Sequence, residues 1–267
     1  MTKAGFIGCG NMAQAIIGGI IKNGAVKAAE VVASDVFEDS LKKAREAYGI
    51  KIAAGNLEVA AQSDLVFLAV KPHQIAGVIK EIAPKISAEK IVVSIAAGID
   101  LKSMEGWFAK KVKLVRLMPN TPALVGAGMT GASPNALVTA EELSLVRSLL
   151  DGIGRCEVVP ESLMEAVMAV SGSGPAYVYM FIEALADAAV LEGMPRALAY
   201  TFAAQMVMGS AKMVLETGRH PGELKDMVCS PGGTTIEAVA VLEERGFRSA
   251  VIEAAGACAA KGRELGK

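Results

Sequence analysis

Histidine occurs twice in these 267 residues, as His73 and His220, and aromatic residues make up only 4%. Cysteine is nearly as scarce. Cys9, Cys156, Cys229 and Cys258 stand far apart and no two form a CxxC pair. That spacing argues against a zinc site or a disulfide framework, so no metal and a reducing compartment are expected. An excess of one charge is missing too: 27 basic and 28 acidic residues are closely mixed, for a net charge of −1. With no basic stripe, nucleic acid and anionic membrane are poor partners. The charge-free run from Leu117 to Ala140 holds three prolines and three glycines, so it is not one spanning helix. Lys3 and the apolar residues after it read as strand, glycine turn and helix rather than a signal peptide. A cytoplasmic enzyme is the expectation. Hydrophobic residues are plentiful at 52%, so the core must be built from Ala, Val, Ile, Leu and Met.

The first 160 residues alternate. "AGFIG" is a short apolar strand, followed by a helix from about Asn11 to Lys22. "VVAS" precedes the charged helix "EDSLKKAREAY", which stops at Gly49. "DLVFLAV", "KIVVSIAAG" and "VKLVRLMP" are further strands, with one more near Gly128 to Ser133 and "CEVV" after a helix. Uniformly apolar runs suit parallel strands covered by helices on both faces, which is a doubly wound α/β sheet. After Pro160 the pattern changes to Ala-rich helical runs punctuated by "SGSGP", "EGMP", "TGRHPG" and "SPGG". The expected plan is therefore α/β plus all-α: a Rossmann domain over 1–160 and a helical domain over 161–267. Runs such as "AYVYMFIEALADAAVLEG" are apolar on more than one face and must be buried, which predicts an obligate homo-oligomer.

"FIGCGNMAQAI" has the form strand, G-x-G-x-x-A, helix. Gly8 permits the tight turn, Gly10 lets a pyrophosphate approach, and Ala13 lets helix pack on strand. The helix start at Asn11 and Met12 supplies N–H donors and a positive dipole end. Asp35 closes the second strand, where an acid accepts from a ribose 2′-hydroxyl and repels a 2′-phosphate; this favours NAD(H). Ser34 and Asn56 could instead bond a phosphate, and Asp35 could merely cap a helix. Ligands sit outside the carboxyl ends of such strands. That places Ala69, Val70, Lys71 and Pro72 of "AVKP", Ala96 and Ala97 of "SIAAG", and Asn120 of "MPNTP" at the cofactor.

Taken in order, "GFIGCGNMAQAI", "FLAVKP", "SIAAGI", "MPNTP", "SGSGPAYVY" and "MVCSPGGTTIEAV" resemble the pyrroline-5-carboxylate reductase family over essentially the whole chain. "SGSGPAY" and "SPGGTT" are its specific motifs. The resemblance implies reduction of the cyclic imine to L-proline with NAD(P)H, usually NADPH, as the last step of proline biosynthesis. It also implies a helical dimerisation domain with helices of two subunits interlaced, and in many members decamers.

Hydride addition to C=N needs an electron-poor carbon, which a protonated imine supplies, so no strong general acid is obligatory. The enzyme's task is proximity and orientation. The substrate carboxylate suits a helix N-terminus preceded by small residues. Gly232 and Gly233 let the backbone come close, and N–H groups near Gly233, Thr234 and Thr235 can meet it. By resemblance Thr235 bonds the ring nitrogen, Ser230 lines the same pocket, and Glu161 lies near the substrate. Against that, Ser230 and Thr235 could simply cap the following helix. "SGSGPAY" reads as structural, with Pro175 in a first turn. Two rivals remain. A β-hydroxyacid dehydrogenase would carry a lysine on the helix after "SGSGP", where none occurs. A non-catalytic nucleotide-binding scaffold would have no need of "SPGGTT".

Overall fold

The computed structural model describes residues 3–265. They form two compact units: one runs to Ser173 and takes in the chain again from Cys258, and the other is Gly174–Ala257.

The first unit is built on an eight-stranded sheet of order β3-β2-β1-β4-β5-β6-β7-β8. The strands are β1 Ala4–Ile7, β2 Val31–Ser34, β3 Lys51–Ile52, β4 Leu65–Leu68, β5 Ile91–Ser94, β6 Lys113–Met118, β7 Gly128–Pro134 and β8 Gly154–Val158. All pairings are parallel except β6 with β7. Its helices are α1 Asn11–Lys22, α2 Glu38–Tyr48, α3 Asn56–Gln62, α4 Pro72–Ile82, α5 Leu101–Phe108, α6 Ala140–Leu150 and the short α7 Met164–Val167.

The uniformly apolar β1, β2, β4 and β5 are buried along their whole length, as strands covered on both faces must be. Successive residues feed two separate cores. Phe6 and Phe67 join Ile16, Ile17 and Val146 on one face, while Ile7 and Leu68 join Ile75, Ile79 and Met104 on the other. Phe6 and Phe67 are register partners whose rings stack 4.5 Å apart. Such a pair is worth about 0.5–1.5 kcal/mol beyond the area it buries. Strand order reverses between β1 and β4, and that switch opens a crevice at the carboxyl ends of the central strands. The two-residue edge strand β3 is exposed and has no apolar run to announce it.

Residues 161–173 pack with the sheet. Gly131 leaves the space that Val167 occupies, and Ser171 presents its carbonyl to Asn120. The chain passes through a π turn at Met168–Gly172, a local widening that recurs at functional sites. The stretch Glu161–Leu191 is long and apolar enough to cross a bilayer by length and composition alone. It is not a charge-free run, however, and its Glu161 and Glu165 pair with an arginine of β6.

The second unit is helical: α8 Gly174–Leu191, α9 Arg196–Thr217, α10 Pro221–Val228, α11 Thr234–Glu244 and the start of α12 Phe247–Leu265. No strand occurs among its residues. Arg196, which opens α9, pairs with Asp187 of α8 and lies over the Tyr200 ring. Gly174, Ala186, Ala199 and Ala203 are the buried positions here, all of them small. Large apolar side chains stay open, among them Tyr179, Met180, Phe202, Met206 and Ile252.

Candidate functional site

At the switch between β1 and β4 lies a cleft of ≈ 480 Å³. It is lined by Gly8, Gly10, Asn11, Met12, Asp35, Asn56, Ala69, Val70, Lys71, Pro72, Ala96 and Ala97, all expected from the sequence. Val36, Phe37, Ser40, Gln74, Val78 and Ile95 line it as well and were not foreseen. Val36 and Phe37 stand out as large apolar side chains left exposed beside Asp35.

The glycines of the first turn do different work. Gly8 has φ +94°, and a Cβ there would sit 2.6 Å from the Ala69 carbonyl oxygen at the end of β4. Only glycine can bring these two chain segments so close. Gly10 has nothing within 4 Å of its Cβ position. It caps α1 without any side-chain bond, so the first N–H groups of that helix face the cleft unpaired by a cap. Open space in front of free helix N–H donors is what a pyrophosphate needs.

Asp35 binds the turn itself. Its Oδ2 accepts from the Cys9 N–H at 2.6 Å and its Oδ1 from the Phe37 N–H at 2.9 Å. Burial, and after it the Asp35 charge, push the Cys9 thiol up to about 11. Ser34 Oγ donates to Asn56 Oδ1 at 2.8 Å, and Asn56 Nδ2 donates to Glu81 Oε2 at 2.8 Å. Lys71 is exposed at the head of α4, where its backbone N–H donates to Gln74 Oε1.

Three expected residues have other partners. Ser34, buried at the end of β2 and bonded to Asn56, does not line the cleft. Asn120 does not line the cleft. Its Nδ2 donates to the Ser171 carbonyl and its Oδ1 accepts from the Met129 N–H, fastening the loop after β6. Glu161 accepts through Oε1 from the Leu101 N–H at 2.7 Å and from Arg116 at 3.2 Å. Arg116 is 2% exposed on β6, and its Nη2 pairs with Glu165 at 3.1 Å. The sequence did carry a signal here: an arginine in the buried strand "VKLVRLMP" must be paired.

Within the second unit, Gly232 takes φ +67° and Gly233 opens α11. A Cβ on Gly233 would come 2.3 Å from Ser230 Oγ, so a larger residue there would make the Ser230 hydroxyl turn away. The Gly233 N–H donates to the Ser230 carbonyl at 3.0 Å. The helix cap is Gly233 itself and carries no side-chain bond. Neither Ser230 nor Thr235 makes a side-chain cap bond to α11.

A doubly wound sheet with a glycine turn at its switch point, followed by helices, defines a dinucleotide-binding protein of the Rossmann type. Residues 161–265 match the family described as pyrroline-5-carboxylate reductase dimerisation, and residues 3–98 match NADP oxidoreductase coenzyme F420-dependent. A pyrroline-5-carboxylate reductase of Escherichia coli (strain K12) is 54% identical over 265 residues, covering 99% of this chain and 98% of that one. The structure of such a reductase from Coxiella burnetii superposes with a TM-score of 0.93 at 37% identity, over 100% of this chain and 99% of that one. That of the Plasmodium falciparum pyrroline carboxylate reductase, with NADP bound, superposes at 0.89 with 31% identity over 100% and 98%. The chain belongs to the pyrroline-5-carboxylate reductase family.

Proposed function

We propose that this chain reduces pyrroline-5-carboxylate to L-proline with a hydride from NADPH or NADH, the last step of proline biosynthesis. The observation that carries this reading is the end-to-end likeness to named reductases, at 54% identity over 99% of the chain. The geometry is consistent with it.

Gly8, Gly10, Asn11 and Met12 would hold the pyrophosphate, with the open α1 N-terminus as donor. Asp35 and Asn56 would meet the adenosine ribose, with Ser34 bonded behind Asn56. Ala69, Val70, Lys71, Pro72, Ala96 and Ala97 would line the path to the nicotinamide, mostly through backbone. Asn120 acts from behind, by holding its loop to Met129 and Ser171. When bound, the nicotinamide supplies the hydride. The chain itself supplies orientation. The first N–H groups of α11, at Thr234 and Thr235, would take the substrate carboxylate, while Gly232 and Gly233, the latter with its own N–H held by the Ser230 carbonyl, would let it come close. The Thr235 hydroxyl would bond the ring nitrogen, with Ser230 beside it; an imine protonated from solvent needs no stronger acid. Glu161 would act near the substrate through its place on Arg116 and Leu101.

The functional division follows the family match, with the helical module starting at Glu161. Two copies would cover each other's exposed apolar helices, such as Phe202 at 59% exposure, by interlacing them. Decamers are the larger assembly implied. Four free cysteines suit the cytoplasm.

The test is loss of reduced-nicotinamide absorbance on adding pyrroline-5-carboxylate to the purified protein, with proline as product. No substrate-dependent oxidation of NADPH or NADH would sink the reading. Analytical ultracentrifugation giving a monomer would sink the assembly.

A further inference from the structure

The adenosine end of the cleft carries acidic groups where a phosphorylated ribose calls for basic ones. Asp35 lies beyond β2 with one N–H bond on each oxygen, from Cys9 and Phe37. A carboxylate has about four lone-pair sites, so it can still accept from ribose hydroxyls. Two of the neutral side chains that could have met a 2′-phosphate are bonded elsewhere, and the Ser40 hydroxyl alone would not offset a carboxylate. Ser34 donates to Asn56, and Asn56 donates to the Glu81 carboxylate. The next helix, α2, which would otherwise offer its N-terminus to an anion, carries Glu38 and Asp39 in its first turn. No arginine lines the cleft among the described residues, and its one lining lysine, Lys71, stands at the head of α4 beyond β4 rather than beyond β2. Lys42 and Lys43 of α2 do not line it.

We propose that Asp35, helped by Glu81 through Asn56, sets this chain's cofactor choice at the ribose, so that NADH binds at least as well as NADPH. A 2′-hydroxyl donates into Asp35. A 2′-phosphate cannot donate there, and it meets the Asp35 charge, while Glu81, outside the cleft lining, acts only through its hold on Asn56. This deepens the reductase reading and rests on it only for the claim that the bound cofactor is the hydride donor.

The experiment titrates the full-length protein with NADH and with NADPH, in the absence of imine, by nicotinamide fluorescence. NADH binding as tightly as NADPH, or more tightly, is the expected result; tighter binding of NADPH overturns the proposal. Asp35→Asn keeps an acceptor for one N–H and removes the charge. It should shift the affinity ratio toward NADPH by about tenfold. Glu81→Gln keeps an acceptor for Asn56 and should shift it by about threefold, since Glu81 is exposed. Equal weakening of both cofactors in Asp35→Asn, with no change of ratio in Glu81→Gln, would reduce Asp35 to a brace of the turn and overturn the assignment. Should Asp35→Asn fail to fold, Glu81→Gln decides alone. Binding as expected without turnover of pyrroline-5-carboxylate would refute the reductase reading and leave this assignment standing.

Discussion

Arg116 reaches from the buried strand β6 to Glu161 at 3.2 Å, and so ties the first residue of the helical family segment to the nucleotide-binding sheet. Glu165 holds the other guanidinium nitrogen at 3.1 Å, while Arg116 Nε is left without a partner. One buried cation thus fixes where the chain leaves the sheet.

Removing both acids should therefore destabilise more than removing the arginine. Glu161→Ala with Glu165→Ala leaves a buried charge without a counter-ion. Their side chains are 31% and 25% exposed, so the cost is expected near 2–4 kcal/mol, at or below the usual 3–5 for a sealed pair. Adding Arg116→Met should restore part of it. Urea unfolding at one fixed protein concentration measures this. A double-acid variant within about 0.5 kcal/mol of the parent would refute it.

The glycine turn permits a cleaner separation of fold from binding. A Cβ on Gly10 meets nothing within 4 Å, so Gly10→Val should change unfolding little. Its side chain would stand where a pyrophosphate approaches, and dinucleotide affinity should fall by about tenfold or more, some 1.4 kcal/mol. Gly8→Ala should lose both, because φ +94° and the Ala69 carbonyl at 2.6 Å oppose any Cβ. Calorimetric binding and thermal melts of the two variants side by side check this; a Gly10→Val protein that binds normally would remove the turn from the cofactor site.

What the sequence revealed depended on how local the physics was. The turn at Gly8, the helix Asn11–Lys22 and the buried strands follow from short-range rules of spacing and apolarity, and they stand where expected. Asp35 was legible as an acid at the right place, but its bond to Cys9, 26 residues away, was not. The grouping of residues 161–173 with the sheet turns on Arg116, whose neighbours along the chain, Val115 and Leu117, give no hint of which acid it meets. Asn120 was placed by position alone. Its bonds to Met129 and Ser171 depend on how two distant segments return to one loop. The turn before α11 became clearer in a different way. The sequence offered capping as a rival role for Ser230 and Thr235, and the cap turned out to be Gly233.

Cys9 should be chemically quiet despite its place in the nucleotide turn. Burial first, and the Asp35 charge second, raise its thiol from 9.0 to about 11. Because the folded value lies above the unfolded one, its contribution to stability is complete below pH 9 and is lost as pH rises toward 11. Iodoacetamide at pH ~8 should then leave Cys9 unmodified in the native protein and label it after denaturation, as peptide mass spectrometry would show. Rapid native labelling of Cys9 would contradict the burial that this rests on.

Thr235 gives the sharpest test of the second turn. It occupies the second position of α11, is partly buried, and does not serve as the helix cap. Removing its hydroxyl therefore costs the helix little, and Thr235→Ala should unfold within about 0.5 kcal/mol of the parent. If the hydroxyl bonds the ring nitrogen as hydride arrives, kcat should fall by roughly 10- to 1000-fold, the range seen when an active-site donor is lost. Thr235→Ser keeps the donor and should recover most of that rate. The affinity for NADH and NADPH should not move, because the cofactor cleft is lined by residues of the first unit alone. Steady-state kinetics decide between the possibilities: a folded Thr235→Ala enzyme with parental kcat would leave the carboxylate-facing N–H groups as the whole contribution of this turn.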